Sequence, residues 1–250
     1  MSELLIKLGK EQFEKKEARK EEFAHDEEAN ALLADFDNTP HAYVLACLMN
    51  RTVVAKRAWI IPHKIREKFR SFSMEALKKR SLAEWKTLFK EEKLHRFHPQ
   101  MAEIFFLAVR DIDAKYDGDA SKIWSNNPSS KDVVRRFREF RGAAQKISTM
   151  AANILVRQFE IPMSDYKDID ISVDVHIERV MLRMGLVRAD GKKRCSEKAI
   201  INKARELSPE FPGVFDYACW KIGREFCHSE TPDCPNCPVR TDCATGKKSV

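Results

Sequence analysis

Glycine is scarce in this chain, with eight residues in 250, and no stretch alternates apolar with polar side chains for long. That excludes a protein built mainly from strands and tight hairpins. No apolar run approaches the length of a membrane span, which argues against a membrane partner. The opening Met-Ser-Glu-Leu-Leu-Ile-Lys gives way at once to charged residues and does not read as a secretory signal. Cysteines number seven, an odd count without an export signal, so a disulfide framework is not expected and a reducing, intracellular compartment is. What is present is charge: one third of the residues are Asp, Glu, Lys or Arg, with a net charge of +7. That balance favours a polyanionic partner, most often nucleic acid.

Helical patterns dominate. A charged amphipathic helix is expected over 3–28, with Leu4, Leu5, Leu8 and Phe13 as its apolar side. Pro40 opens an apolar segment, Ala42 to Leu48, that predicts a buried helix. Pro62 marks a break or a new first turn before His63–Arg70, and Ser81-Leu-Ala-Glu84 is a capping-box pattern opening a helix with Trp85 and Phe89. Pro99 precedes a long helix with Met101, Ile104, Phe105, Leu107, Ala108 and Ile112 inward, ended by Asp117-Gly118. Further helices are expected over 132–140, 147–159, after Asp174, over 197–207 and over 213–226, with a loop-like acidic stretch at 162–170. The fold class is all-α.

Four of the cysteines fall in the last tenth of the chain. Cys227, Cys234, Cys237 and Cys243 are separated by six, two and five residues. Four thiolates in one short loop suit a [4Fe-4S] cubane, which takes one soft ligand at each iron. Zinc is the competing reading. Zinc ribbons bring together two separated Cys-x-x-Cys pairs. Here a single pair is flanked by lone cysteines at unequal distances, which favours iron–sulfur.

Two further runs stand upstream in order. The first is Phe140-Arg-Gly-Ala-Ala-Gln-Lys146-Ile-Ser, a turn between two expected helices. The second is Val173-Asp174-Val-His-Ile-Glu-Arg-Val180. With the cysteine loop, and Gly223-Arg224 ahead of it, this order resembles the helix-hairpin-helix DNA glycosylases of the endonuclease III type, from about residue 30 to 243. The resemblance implies a two-lobed all-α fold. Residues 34–160 would form the lobe bearing the hairpin, and 1–33 with 161–250 the lobe bearing the cluster. It also implies base excision repair of double-stranded DNA carrying a damaged base or abasic site. The enzyme would be a monomer, cytoplasmic and nucleoid-associated if prokaryotic.

The family hairpin normally reads Leu-Pro-Gly-Val-Gly-x-Lys, its backbone amides gripping phosphates. Here Phe140, Arg141, Gly142 and Ala144 take the leucine, proline and two glycine places. Ala144 is a departure whose β-carbon could crowd a phosphate, and Arg141 could offset this by direct contact. Lys131, Arg135, Arg136 and Arg138 add positive charge nearby. Lys146 falls on the family's catalytic lysine, implying a bifunctional enzyme that forms a Schiff base at C1′ and cuts by β-elimination. That chemistry needs an amine partly neutral near neutral pH, which burial or a neighbouring cation would supply. Asp174 matches the catalytic aspartate, with a helix N-cap as its plainer role. It lies 28 residues after Lys146, which implies an insertion near Ile161–Asp170. Asn50 aligns with a glutamine that fills the space left by a flipped base, with Arg51 as its neighbour candidate. Met150, one turn beyond Lys146, is either pocket wall or core. The loop after Cys227 carries Glu230 and Asp233 where related enzymes carry cations, so Arg224 or Arg240 would have to serve. The rival readings are a monofunctional glycosylase and a non-catalytic iron–sulfur DNA-binding protein.

Overall fold

The start signals in the sequence become helix starts in the computed structural model, which describes residues 2–14, 23–191 and 194–248. The capping box at Ser81 forms in full, with the Glu84 N–H donating to Ser81 Oγ and the Ser81 N–H donating to Glu84 Oε2. Thirteen α-helices follow one another among the described residues: α1 Glu3–Glu14, α2 Glu27–Ala34, α3 Pro40–Met49, α4 Ala55–Trp59, α5 Ile61–Phe69, α6 Met74–Lys78, α7 Leu82–Glu91, α8 His98–Tyr116, α9 Ser130–Arg138, α10 Gln145–Gln158, α11 Val175–Arg183, α12 Glu197–Leu207 and α13 Phe215–Glu225. Among these residues there is no β-strand.

One expected helix is corrected. The predicted run over 3–28 is not continuous: residues 15–22 lie outside the described ones, and Phe23–His25 form a bend. Asp26 then caps a separate helix, its Oδ1 accepting from the Ala29 N–H at 2.8 Å. Leu107 is also only half-buried, not inward.

The described residues pack as two units. One comprises Glu21–Pro128 and Asp132–Ala151. Its centre is α3, whose ten residues are all buried. A helix that is apolar all round has to be covered on every side, and α2, α4, α5 and α8 supply that cover. Tyr43 sits edge-on to both Trp124 and Phe137 and donates its hydroxyl to the Ala151 carbonyl at 2.7 Å. Trp85 of α7 packs against Phe105 of α8, ring centroids 4.7 Å apart.

The other unit comprises the described parts of Met1–Lys20, Ser129–Lys131 and Ala152–Val250. Here α13 packs on α1 and α11. The contact with α11 depends on Gly223, because a β-carbon there would stand 2.6 Å from His176 Cβ. Residues 160–174 carry no helix, yet they are tied down repeatedly. Ser130 donates to Asp165 at 2.5 Å and accepts from the Asp168 N–H at 3.1 Å. Asp170, 2% exposed, takes two 2.7 Å bonds from Arg205.

Candidate functional site

The segment joining α9 to α10 turns sharply. The Ala143 N–H donates to the Phe140 carbonyl at 3.0 Å, closing a four-residue turn. Gly142 takes the third place with φ of +93°, where a type II turn needs a left-handed residue. Phe140 and Ala143 are buried and anchor the turn, while Arg141, Ala144 and Lys146 are exposed. Lys146 is the second residue of α10. Its backbone lies in the helix's first turn, where unsatisfied N–H groups favour negative charge.

Several predicted residues converge on this turn. A β-carbon at Gly142 would meet Arg51 Nη1 at 3.0 Å and Ile104 Cδ1 at 3.1 Å, so the Arg51 guanidinium lies directly over the turn. Asn50 closes the end of α3, and its Nδ2 donates to Met150 Sδ at 3.3 Å. That places Asn50 beside α10, one turn past Lys146. The next loop is pinned from another direction by His95, whose Nε2 lies 3.1 Å from the Arg51 carbonyl. Burial pushes the His95 imidazole down, and the nearby Arg96, Arg51 and Arg57 charges act the same way. Beside these cations stand two exposed apolar side chains, Val54 (65%) and Phe97 (42%), the latter under the Arg96 guanidinium. No periodicity singled them out; only their exposure does.

The expected basic cluster is partly committed to other contacts. Arg135 bonds Glu139 and Asp132, and Arg136 donates to the Ile123 carbonyl. Arg141 pairs with Glu103 at 2.5 Å. Exposed pairs of this kind are worth little and exchange readily.

Asp174 belongs to the other unit. It is the N-cap of α11, its Oδ1 accepting from the N–H groups of His176 and Ile177 at 2.9 Å each. Oδ2 is not used in the cap. The run before it carries no helix or strand and passes Asp216, which accepts from the Ser172 N–H at 2.9 Å.

The four cysteines line one recess enclosing about 360 Å³ of empty space, part of it open to solvent. Val180, Met184, Ile222 and Val239 form apolar walls around them. Burial pushes the Cys237 thiol up, and the charges of Cys227, Cys243 and Cys234 add to this. Arg183 donates to Cys227 Sγ at 3.4 Å and to the carbonyls of His228 and Ser229. Among the described residues no three His, Cys, Asp or Glu side chains gather closely enough for a single metal ion.

No protein-family model matches the chain. It is 32% identical to endonuclease III of Bacillus subtilis (strain 168) over 78 residues, and the match spans 31% of this chain and 34% of that protein. Three solved structures are similar over most of their length. A trapped endonuclease III–DNA covalent intermediate is 19% identical, covering 84% of this chain and 85% of that one with a TM-score of 0.57. A non-covalent endonuclease III–DNA complex covers the same shares with a TM-score of 0.59. A thermostable thymine-DNA glycosylase is 18% identical, covering 88% and 95% with a TM-score of 0.58. The fold is that of endonuclease III.

Within the endonuclease III fold, the turn and the cysteine loop each have a local physical account. The φ of Ala144 is not left-handed, so alanine fits there without backbone strain. Gly142 has no such latitude. Gly142→Ala is expected to lower stability by about 1–2 kcal/mol from the left-handed φ alone, a loss that urea unfolding checks. The acidic residues of the cysteine loop also differ in role. Asp233 turns inward on its own loop, taking Asn236 Nδ2 at 2.9 Å while its N–H donates to the Phe226 carbonyl. Glu230 is exposed.

Proposed function

We propose that this chain is a bifunctional DNA glycosylase and abasic-site lyase acting on damaged double-stranded DNA. The reading is carried by one observation: in a chain with the endonuclease III fold, an exposed lysine, Lys146, opens the helix directly after a glycine turn overlaid by Arg51. Two similar structures are endonuclease III–DNA complexes, one of them covalently trapped.

In the proposed reaction the Lys146 amine, unprotonated, attacks C1′ of the damaged nucleoside. The N-glycosidic bond breaks and its electron pair leaves with the base, which takes up a proton. Asp174 carries negative charge toward the cationic sugar as that bond lengthens, through the carboxylate oxygen its helix cap leaves unused. The sugar ring opens to a Schiff base on Lys146. Loss of a C2′ proton then expels the 3′ phosphate, and water releases the enzyme. Asn50, beside Met150, is placed to enter the space left by an extruded base. Arg51, Arg141 and the backbone around Gly142 and Ala144 would hold phosphates.

Cys227, Cys234, Cys237 and Cys243 are proposed to hold a [4Fe-4S] cluster. A cubane gives each thiolate its own iron, so its ligands stand farther apart than those of one tetrahedral ion. Four cysteines lining one recess, with a single Cys-x-x-Cys pair flanked by lone cysteines, support the cubane reading over zinc. Arg183 against Cys227 supplies positive charge beside thiolates. Such a cluster would act as a structural staple for the C-terminal segment.

The test is a panel of duplexes containing oxidised pyrimidines, 8-oxoguanine, mismatched thymine or an abasic site. Base release followed by cleavage 3′ to the site is expected, with oxidised bases preferred. Base release without cleavage would favour a monofunctional enzyme, in keeping with the thymine-DNA glycosylase likeness. Retention of every duplex without base release would leave only DNA binding.

A further inference from the structure

The run ahead of Asp174, which carries no helix or strand, is tethered at Ser172 by one carboxyl. The Ser172 N–H donates to Asp216 Oδ2 at 2.9 Å, and the Ser172 hydroxyl bonds the same group. Asp216 stands in the first turn of α13, where unsatisfied N–H groups favour an anion. Three titratable or charged groups face it: Asp174 from the start of α11, Arg157 from the last turn of α10, and Cys219 one turn on in α13. Asp174 opposes a charge on Asp216, and Arg157 favours it. Arg157 is itself held, its guanidinium 4.1 Å from the centre of the Tyr217 ring.

We propose that Asp216 is a positioning residue for Asp174, fixing the run at Ser172 and, once ionised, setting a second negative charge behind it. The inference rests on the proposed role of Asp174 in base release. Among the described residues the helix cap is what orients Asp174, and it holds one oxygen. The bond to Ser172, two residues earlier, sets how the chain enters that cap. A second anion nearby deepens the negative potential available to a cationic sugar. Burial pushes the Asp216 carboxyl up to about 6, so this charge is switched on within the range of an ordinary assay. Because the folded value lies above that of a free carboxyl, the stability Asp216 contributes is complete below the ordinary carboxylate range and is lost as pH rises through about 6. Ionised Asp216 therefore lowers the stability of the fold while serving the site.

The experiment compares the full chain with Asp216→Asn, which keeps the shape and an acceptor but carries no charge. Single-turnover base release by the wild type is expected to rise through about pH 6, whereas the variant is flat and about tenfold slower at the alkaline end. Duplex affinity should be unchanged, and the variant should melt higher than wild type at about pH 8, with a difference that shrinks as pH falls through about 6 and vanishes only below about 4, the ordinary carboxylate range. A residue that merely held the fold together would lower both melting temperature and rate. Equal rates and pH profiles would overturn the proposal. An activity-free arm uses amide NMR. The Ser172 amide should titrate with a midpoint near 6 in wild type only, and the His176 and Ile177 amides, which bond Asp174, should move in the variant. If they do not move, Asp216 does not position Asp174, whatever the activity. If they move but the wild type releases no base from any duplex, it is the glycosylase reading that fails.

Discussion

Lys146→Gln is expected to abolish borohydride trapping on an abasic duplex and to slow strand cleavage on the order of 10³-fold or more, as loss of a covalent nucleophile does. Glutamine keeps most of the side chain's length but has no amine to form the Schiff base. Duplex binding should persist, because the proposed phosphate contacts lie at Arg51, Arg141 and the Gly142 turn, none of which the change touches. Lys146 is exposed in the first turn of α10, so folding should be unaffected and the melting temperature should stay within a degree or two. The measurement is a gel of trapped and free protein beside a binding titration. Trapping that persists undiminished in the variant would move the nucleophile elsewhere and sink the assignment.

Removing the proposed cluster should have the second large effect. Residues 226–248 contain no helix longer than a 3₁₀ turn, so few repeating backbone bonds hold them. Their tethers to the rest of the unit include the Arg179 and Arg183 contacts with Cys227, His228 and Ser229, the Cys243 and Thr245 contacts with Arg183, the Ala244 N–H on the Met184 carbonyl, and the Leu4 N–H on Asp242. Small metal-held segments derive on the order of 10 kcal/mol of apparent folding energy from the metal. Cys234→Ala is therefore expected to lose iron and to become cleavable within this segment by limited proteolysis. Cys195→Ala, outside the recess, should keep its iron and its resistance. A wild-type protein carrying one zinc and no iron would overturn the cluster assignment.

Much of the helical plan was legible because the signals were local. Pro40 followed by an unbroken apolar run could only be a helix covered on all sides, and α3 is that helix. Ser81 and Glu84 spelled their cap within four residues, and Asp174 announced its own. The missed elements lacked such signals. Helices α4 and α6 are five residues each, too short for a 3.6-residue period to repeat. The predicted helix over 3–28 failed because high charge hid the cap at Asp26, which looks like one more acidic residue in a row of them. The candidate site divides in the same way. Gly142 and Lys146 were readable from their run. The guanidinium of Arg51 over Gly142 was not, because the two are ninety-one positions apart. Asp216 was silent for the same reason: Ser172 and Arg157, which define it, are distant in sequence, and nothing around Asp216 marks a site.

The burial of α3 has a practical counterpart in α13. Cys47 and Cys219 both have no exposed surface, and burial pushes both thiols up, far from the reactive thiolate. One lies in each unit. A thiol reagent can reach either only when its own surroundings open. Modification of Cys47 and Cys219 at increasing denaturant, followed by mass spectrometry of the tagged peptides, thus runs two separate clocks in one molecule. The order in which they strike tells which half of the protein lets go first.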